Sequence, residues 1–399
     1  MDFDKIMEGL ADAVGSRDSF SGSVPYWLPT SLPNVNMAIS GDPNLGFPGG
    51  RIITIAGPES CGKTALMTEL MTKAQRMGGF SALEDFEHAF AHVHAKRLGL
   101  ACDDTDKNWY YRKPATAEEG FARVYKIMRY VRSVELGFTL PKDTDKKPRA
   151  SAEALYDAMR GVDLSKLVPM VLGMDSIASM IPEAQDVDYT KQNMKTKNME
   201  HAALLSIELK RLARDADVTG ATMILLNQLR TNPGVMFGDN STEPGGNAPK
   251  FYASVMLRLR RVDKWYRNYD DKTSEVIGDV VELYTRKNKV FRPFKKTKYV
   301  FRTVDPVGLD PIGTMILLGK EAGVLGPVGG VTVEFEGKKR WNVNDFDEAC
   351  RKDPDLAKRL TDHVMSSINP VEDGPVQSDD ESTPAPGGAG SVDLSNAFS

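Results

Sequence analysis

The segment Gly57-Pro58-Glu59-Ser60-Cys61-Gly62-Lys63-Thr64 follows directly on the apolar run Arg51-Ile52-Ile53-Thr54-Ile55-Ala56. Two glycines with four residues between them, then Lys and Thr, fit a loop that wraps a phosphate chain. Glycine lets the backbone approach closely, so that successive N–H groups point at phosphate oxygens. Lys63 opens an expected helix whose N-terminal dipole favours an anion, and its ammonium can reach the terminal phosphates. Thr64 offers a hydroxyl to Mg²⁺. A coincidental Gly-rich turn is the plainer alternative, but a β-branched strand before the loop and residues 65–71 reading as helix after it favour a nucleotide site.

Two further groups of residues suit the same chemistry. Met170-Val171-Leu172-Gly173-Met174 is an apolar strand ending in Asp175. A carboxylate at that place serves Mg²⁺, usually through a water, whereas the bland reading is a strand-end cap. Hydrolysis also needs a group that polarises the attacking water. Glu84, Asp85 and Glu87 lie together in Glu84-Asp85-Phe86-Glu87-His88, and the residue pattern leaves all three open.

Two polar segments offer charge for a second anion. The first, 184–198, carries Lys191, Lys195 and Lys197 and leads into a helix bearing Lys210, Arg211 and Arg214, which a solvated helix face would also explain. The second runs from Asn227-Gln228-Leu229-Arg230 to Asn247 and contains Gly234, Phe237, Gly238, Gly245 and Gly246, with Lys250 just beyond. A loop of that length in a compact domain is either functional or a mobile surface segment.

These groups need a scaffold, and the periodicities supply one. Strands expected at 81–85, 168–175, 221–227, 254–262 and 279–288 alternate with helices at 87–99, 117–135 and about 199–216. That order predicts an α/β fold with a largely parallel sheet. The expected organisation is a helix and linker over 1–25, a core over 26–307, a small C-terminal α/β domain over 308–368 and an acidic tail over 369–399. Within the core, 137–166 breaks the rhythm and reads as an exposed insertion. Phe3, Ile6, Met7, Leu10 and Val14 form an apolar stripe at helical spacing, suited to its own domain or to a neighbouring subunit. From Glu372 to the end there are six acidic residues and no basic ones, a composition expected to stay disordered.

Composition excludes several classes. The chain has 399 residues and a formal net charge of −4, which by itself neither favours nor opposes nucleic acid. No apolar run approaches the roughly 20 residues of a membrane span. The start lacks the basic flank of a secretory signal, so a cytoplasmic location is the expectation. Cys61, Cys102 and Cys350 are too widely spaced for a metal cluster or disulfide framework. A small filler role suits Cys61 within the loop.

Together these motifs resemble the RecA-type strand-exchange recombinases, in particular the diverged members encoded by bacteriophages. The resemblance covers roughly 28–135 and 166–360. It rests on the phosphate loop, on Glu87-His88-Ala89, on Asn227-Gln228-Leu229-Arg230 with Gly234-Val235-Met236-Phe237-Gly238, and on the stretch 245–255 from Gly245-Gly246-Asn247 to Ala253-Ser254-Val255.

The resemblance implies a RecA-like core, ATP and Mg²⁺ as ligands, and Glu87 as the catalytic carboxylate. Gln228 is implied as a γ-phosphate sensor coupled to the DNA loop, and Lys287 and Lys289 as a basic pair reaching the ATP of the adjacent subunit. Arg230, Met236, Phe237, Gly245, Gly246 and Asn247 fall in the second DNA-binding loop. Met194 or Met199 is the expected wedge of a poorly matched first loop, with Lys210 behind it. Where the family commonly has an acid and a Tyr near adenine, this chain has Ala91 and His94, and His94 can still stack on a base.

The implied partners are single- and double-stranded DNA, further copies of the chain in a helical filament, and a loader or single-strand-binding protein. The implied function is ATP-dependent assembly on single-stranded DNA, homology search and strand exchange. The competing readings are a ring-shaped DNA motor with the same core and a DNA-binding mediator with weak hydrolysis. The stretch 245–255 favours the recombinase over the ring, and retention of Lys63, Thr64, Glu87 and Asp175 counts against the mediator.

Overall fold

The computed structural model describes residues 24–186, 194–231, 241–242, 244–269, 272–328, 330–337 and 339–374. The expected N-terminal stripe, the centre of the second loop with Met236 and Phe237, and the tail beyond residue 374 lie outside the described residues.

The apolar runs become strands buried on both faces. Among the described residues the main sheet has ten strands. They are β1 (Ile52–Gly57), β2 (Phe80–Asp85), β3 (Trp109–Arg112), β4 (Met170–Asp175), β5 (Ala221–Gln228), β6 (Val255–Tyr266), β7 (Val276–Asn288), β8 (Lys295–Arg302), β9 (Gly308–Asp310) and β10 (Glu372–Asp373). Their order is β9-β8-β7-β6-β1-β5-β4-β2-β3, with β10 paired to β8. From β6 to β3 every neighbouring pair is parallel, and from β6 to β9 every pair is antiparallel.

A parallel strand covered on both faces must send apolar side chains both ways, so its sequence reads as a continuous apolar run. On β5, Met223 and Leu225 join a core with Phe121, Val124 and Leu205, while Ile224 and Leu226 join one with Leu66 and Leu70. Among the covering helices are α1 (Pro33–Ser40) and α2 (Lys63–Arg76) on one face and α4 (Ala117–Glu135) and α6 (Met194–Thr219) on the other. The bounds of α4 match the expected 117–135, and the Thr116 hydroxyl caps it by accepting from Glu119 N.

Three expectations change. Residues 87–91 are not helical, and helix α3 is confined to His92–Arg97. The carboxylate of Asp85 captures the backbone N–H groups of Ala89 and Phe90 instead, and His88 takes φ +57°. The insertion is only partly exposed. Residues 141–149 are exposed, but helix α5 (Ala150–Ala158) buries Ala152 and Leu155. It is fastened to α4 and α6 by a hydrogen bond from Arg129 Nη1 to Ser151 Oγ at 3.2 Å, a hydrogen bond from the Tyr156 hydroxyl to Asp215, and Arg214 stacked 4.4 Å over the Tyr156 ring. Finally, the acidic tail does not begin at 369. Glu372 and Asp373 pair with Lys296 and Lys295 on β8, and Val371 is buried.

Residues 308–368 carry α8 (Pro311–Glu321), α9 (Val343–Lys352) and α10 (Pro354–Ser367). Their apolar cluster continues into the antiparallel half of the sheet through Trp265, Ile277, Val280 and Val300.

Candidate nucleotide and DNA-loop site

The four strands β1, β5, β4 and β2 are adjacent and parallel, so their C-terminal ends share one edge of the sheet. The register sets Gly57 beside Gln228 and Asp85 beside Asp175. Every group that the spacing singled out for nucleotide chemistry therefore arrives at the same edge. Such an edge, just outside the carboxyl ends of parallel strands, is where α/β sheets hold ligands.

The phosphate loop is shaped by its own backbone. Ser60 has φ +56° and Gly62, the N-cap of α2, φ +88°. At Gly57 a side chain has no room, since a Cβ would sit 2.5 Å from Cys61 Sγ and 2.6 Å from the Leu259 carbonyl oxygen. Cys61 is the buried filler expected, and burial pushes its thiol pKa up, which keeps it unreactive. Pro58 and Glu59 complete the turn, with Glu59 exposed. Lys63 Nζ donates to the carbonyls of Gly57 at 3.0 Å and Pro58 at 2.7 Å. The loop thus holds its own ammonium where a phosphate oxygen could replace a carbonyl.

Thr64 Oγ1 donates to Asp175 Oδ2 at 2.9 Å. The two residues expected at Mg²⁺ are therefore in contact. Burial pushes the Asp175 pKa up to about 6, with Glu87 and Asp85 adding to the rise and Thr64 and Lys63 opposing it. A crowded, buried carboxylate beside a hydroxyl fits a hard cation, which would relieve the crowding of negative charge.

The three carboxylates that the pattern left open have different surroundings. Glu84 is 1 % exposed and faces Arg123 Nε at 3.0 Å, on the α4 side of the sheet. Asp85 is spent on the turn, accepting from Ala89 N at 3.4 Å, Phe90 N at 3.1 Å and the Tyr111 hydroxyl at 2.8 Å. Glu87 is half-buried, and its Oε1 accepts from Ser176 Oγ at 2.6 Å and from Gln228 Nε2 at 2.9 Å. The backbone N–H groups of Phe86 and Glu87 bind the Asp175 carbonyl at 2.7 and 3.1 Å, locking this turn to the end of β4. Of the three, Glu87 is the carboxylate that meets both Gln228 and the strand end bearing Asp175.

Tyr111 and Ser176 were not singled out from the sequence. Tyr111 sits on an edge strand amid aromatic neighbours, 5.8 Å from Phe90 and 4.7 Å from His92 between ring centroids. No spacing rule links it to Asp85. Ser176 directly follows Asp175, and that adjacency was the one available signal. His94 is exposed on α3 and Ala91 is its N-cap.

The chain matches the RecA N-terminal domain over residues 31–136 and 147–303. It belongs to the RecA family. The RecA protein of Bacteroides thetaiotaomicron is 30 % identical over 346 residues, covering 86 % of this chain and 88 % of that protein. That of Acidothermus cellulolyticus is 31 % identical over 337 residues, with 83 % and 82 % covered. That of a Methylobacterium species is 32 % identical over 333 residues, with 82 % and 77 % covered. Membership of the RecA family gives the chain a RecA-like recombinase function. The family match skips 137–146, within the expected insertion, and resumes before helix α5. These names do not bear on the expected bacteriophage source.

The remaining expected residues of this RecA-family chain divide between the two ends of the sheet. Asn227 Nδ2 donates to the Pro244 carbonyl at 3.0 Å, pinning the exit of the second loop to β5. Gly245, at φ +102°, has a backbone conformation that strains any other residue, and a Cβ there would lie 2.8 Å from Leu205 Cδ1. Gly246 and Asn247 are exposed beside it, and helix α7 (Ala248–Tyr252) follows. Met199 is 65 % exposed near the start of α6. Lys210 is exposed but eleven residues further along α6, roughly 16 Å at the helical rise, so it does not join the first loop. The side chains of Met194 and Arg230, like Met236 and Phe237, lie outside the described residues.

Lys287 and Lys289 leave the same face, as their spacing predicts, and both point at the C-terminus of α7. Lys287 Nζ donates to the carbonyls of Lys250 and Phe251, the latter at 3.2 Å, and Lys289 Nζ is 3.5 Å from the Phe251 oxygen. Lys287 pairs with Met256, which pairs with Thr54 near the start of β1. The lysines therefore stand toward the opposite end of the sheet from the phosphate loop of their own chain. Among the described residues no helix is long and apolar enough to cross a membrane.

Proposed function

We propose that this chain hydrolyses ATP in response to DNA, and that the nucleotide-bound form makes a filament on single-stranded DNA in which homologous strands are paired and exchanged. The observation that carries this reading is the 2.9 Å bond from Gln228 Nε2 to Glu87 Oε1. It joins the carboxylate proposed to act on water to the residue that opens the second loop.

Each residue has a distinct task in this reading. Backbone N–H groups of the loop and the start of α2 bind the triphosphate, and Lys63 exchanges loop carbonyls for phosphate oxygens. Thr64 and Asp175 would hold Mg²⁺, which would supply charge that neutralises the phosphates. Glu87 orients the attacking water and takes its proton. Withdrawal of Gln228, as DNA draws on the loop beyond it, frees Glu87 Oε1 to accept from a water in place of the amide. Because Lys287 and Lys289 stand toward the far end of their own sheet, the phosphate they serve belongs to the next subunit. Such a head-to-tail contact does not have to close into a ring.

Electron microscopy with single-stranded DNA and a slowly hydrolysed ATP analogue tests the reading. Helical filaments are expected, and closed rings would favour the DNA motor instead.

A further inference from the structure

The first turns of α6 meet the active edge at one small junction. His201 Nε2 lies 2.9 Å from the carbonyl oxygen of Ile177. A carbonyl only accepts, so Nε2 carries the proton in that contact. Ile177 is fully buried and lies two residues after Asp175. The residue between them, Ser176, donates its hydroxyl to Glu87 Oε1 at 2.6 Å. The exit of the second loop packs on the same turns. A Cβ placed on Gly245 would lie 2.8 Å from Leu205 Cδ1 and 3.9 Å from Ile177 Cδ1, and one on Gly246 would lie 3.2 Å from Ala202 Cβ. Met199, the exposed candidate of the first loop, precedes His201 by two residues on the same helix.

We infer that His201 is a positioning residue that ties the orientation of Glu87 to the start of α6. Its imidazole holds the backbone just after Ser176, and Ser176 holds the carboxylate. A displacement of the first α6 turns, when DNA engages the segment leading into them, is passed through the Ile177 carbonyl to Ser176 and so to Glu87. This route is separate from that through Gln228, which enters from β5. Gly245 and Gly246 bring the second loop against the same turns, so both loops bear on one hydrogen bond. The inference rests on the assignment of Glu87 to hydrolysis.

The experiment compares His201→Ala, His201→Gln and Glu87→Gln in the full chain. ATP turnover is measured with and without single-stranded DNA, and DNA affinity by fluorescence anisotropy. His201→Ala is expected to lower the DNA-stimulated kcat by about three- to tenfold, the scale of one lost hydrogen bond. The DNA-independent rate should fall by less, and the KM for ATP and the DNA affinity should stay close to wild type. His201→Gln keeps an N–H donor and should recover part of the loss. An equal fall with and without DNA, a parallel loss of DNA affinity, unchanged stimulation, or no recovery by Gln would each overturn the coupling role. Glu87→Gln should cost about 10²-fold or more in turnover. If it does not, the assignment of Glu87 fails, and that failure is distinct from a failure at His201.

Discussion

Lys287 Nζ donates to the backbone carbonyl of Phe251 at 3.2 Å, and so caps the C-terminus of a helix that begins at Ala248, just after Gly245-Gly246-Asn247. A cation is well placed on the last carbonyls of a helix. Burial, and then the neighbouring Lys289, lower the Lys287 pKa to about 8. A phosphate from an adjacent subunit would offer this ammonium a full negative charge in place of backbone dipoles. The helix would then lose its caps, and the exit of the DNA loop would register the change.

Replacing Lys287 and Lys289 together by Ala is therefore expected to abolish DNA-stimulated hydrolysis while the isolated subunit still binds nucleotide. The informative measurement mixes this double variant with Lys63→Ala protein. A shared site takes Lys63 from one chain and the lysine pair from the next, so some junctions in a mixed filament unite two intact halves. ATPase activity should partly return. No return in mixtures shown by microscopy to co-assemble would place the lysines in service of their own subunit.

Tyr111→Phe tests the support of the turn in which the proposed base, Glu87, lies. The Tyr111 hydroxyl is one of three donors on Asp85, and Asp85 shapes the turn that carries Glu87. Burial, and then Asp85, push the phenol pKa up, which keeps it a donor. Phe preserves the ring among Phe90, His92 and Trp109 and removes only the hydroxyl. A fall in kcat of about three- to tenfold with little change in KM is expected from one lost bond. Unchanged kcat would mean that the two backbone donors suffice to fix the turn.

What the sequence disclosed, and what it withheld, divides along the range of the interactions. The phosphate loop, Asp175 and the strands behind them depend on local spacing, and they were legible. Choosing Glu87 over Glu84 and Asp85 was not legible from spacing, because all three sit within four residues. What sets their surroundings apart is Arg123 on one helix, Tyr111 on an edge strand and Gln228 on another strand. The turn after β2 read as helix since its residues permit one, yet Asp85 takes the backbone donors a helix would use. Helix α5 read as an exposed excursion because its anchors, Arg129 and Asp215, are distant in sequence. Glu372 and Asp373 are poor strand formers, and nothing local foretells their pairing with Lys295 and Lys296.

Glu84 predicts a pH dependence of stability. Burial raises its pKa from 4.5 to about 8 against the opposing pull of Arg123. The unfolded chain ionises this carboxyl near 4.5 and the folded chain near 8, so between those values the folded state binds the extra proton. Its stabilising contribution is complete below the lower value and is lost as pH rises through the upper one. Glu84→Gln removes the titration. Urea unfolding at pH 5, 6.5 and 8 should show the wild type losing on the order of 1–3 kcal/mol relative to the variant across that range. Parallel curves would show that Arg123 keeps Glu84 ionised throughout.

The acidic tail gives the last prediction, and the sheet decides where to cut. Truncation after Asn369 would remove buried Val371 and strand β10, including the Lys295–Asp373 ion pair at 2.5 Å. That cut should cost about 1–3 kcal/mol, the scale of one buried Val, and would confound any effect on DNA. Truncation after Gly374 keeps the strand and still removes four carboxylates, at Asp379, Asp380, Glu381 and Asp393. If these compete with DNA phosphates for basic surfaces, the shorter chain should nucleate faster on duplex DNA. The gain should be largest at low salt, where screening is weakest, and should shrink as salt rises. Association rates measured across a salt series for the two chains check this. Coincident rates at every salt would remove autoinhibition as the role of the tail and leave Leu394 and Phe398 as anchors for a partner.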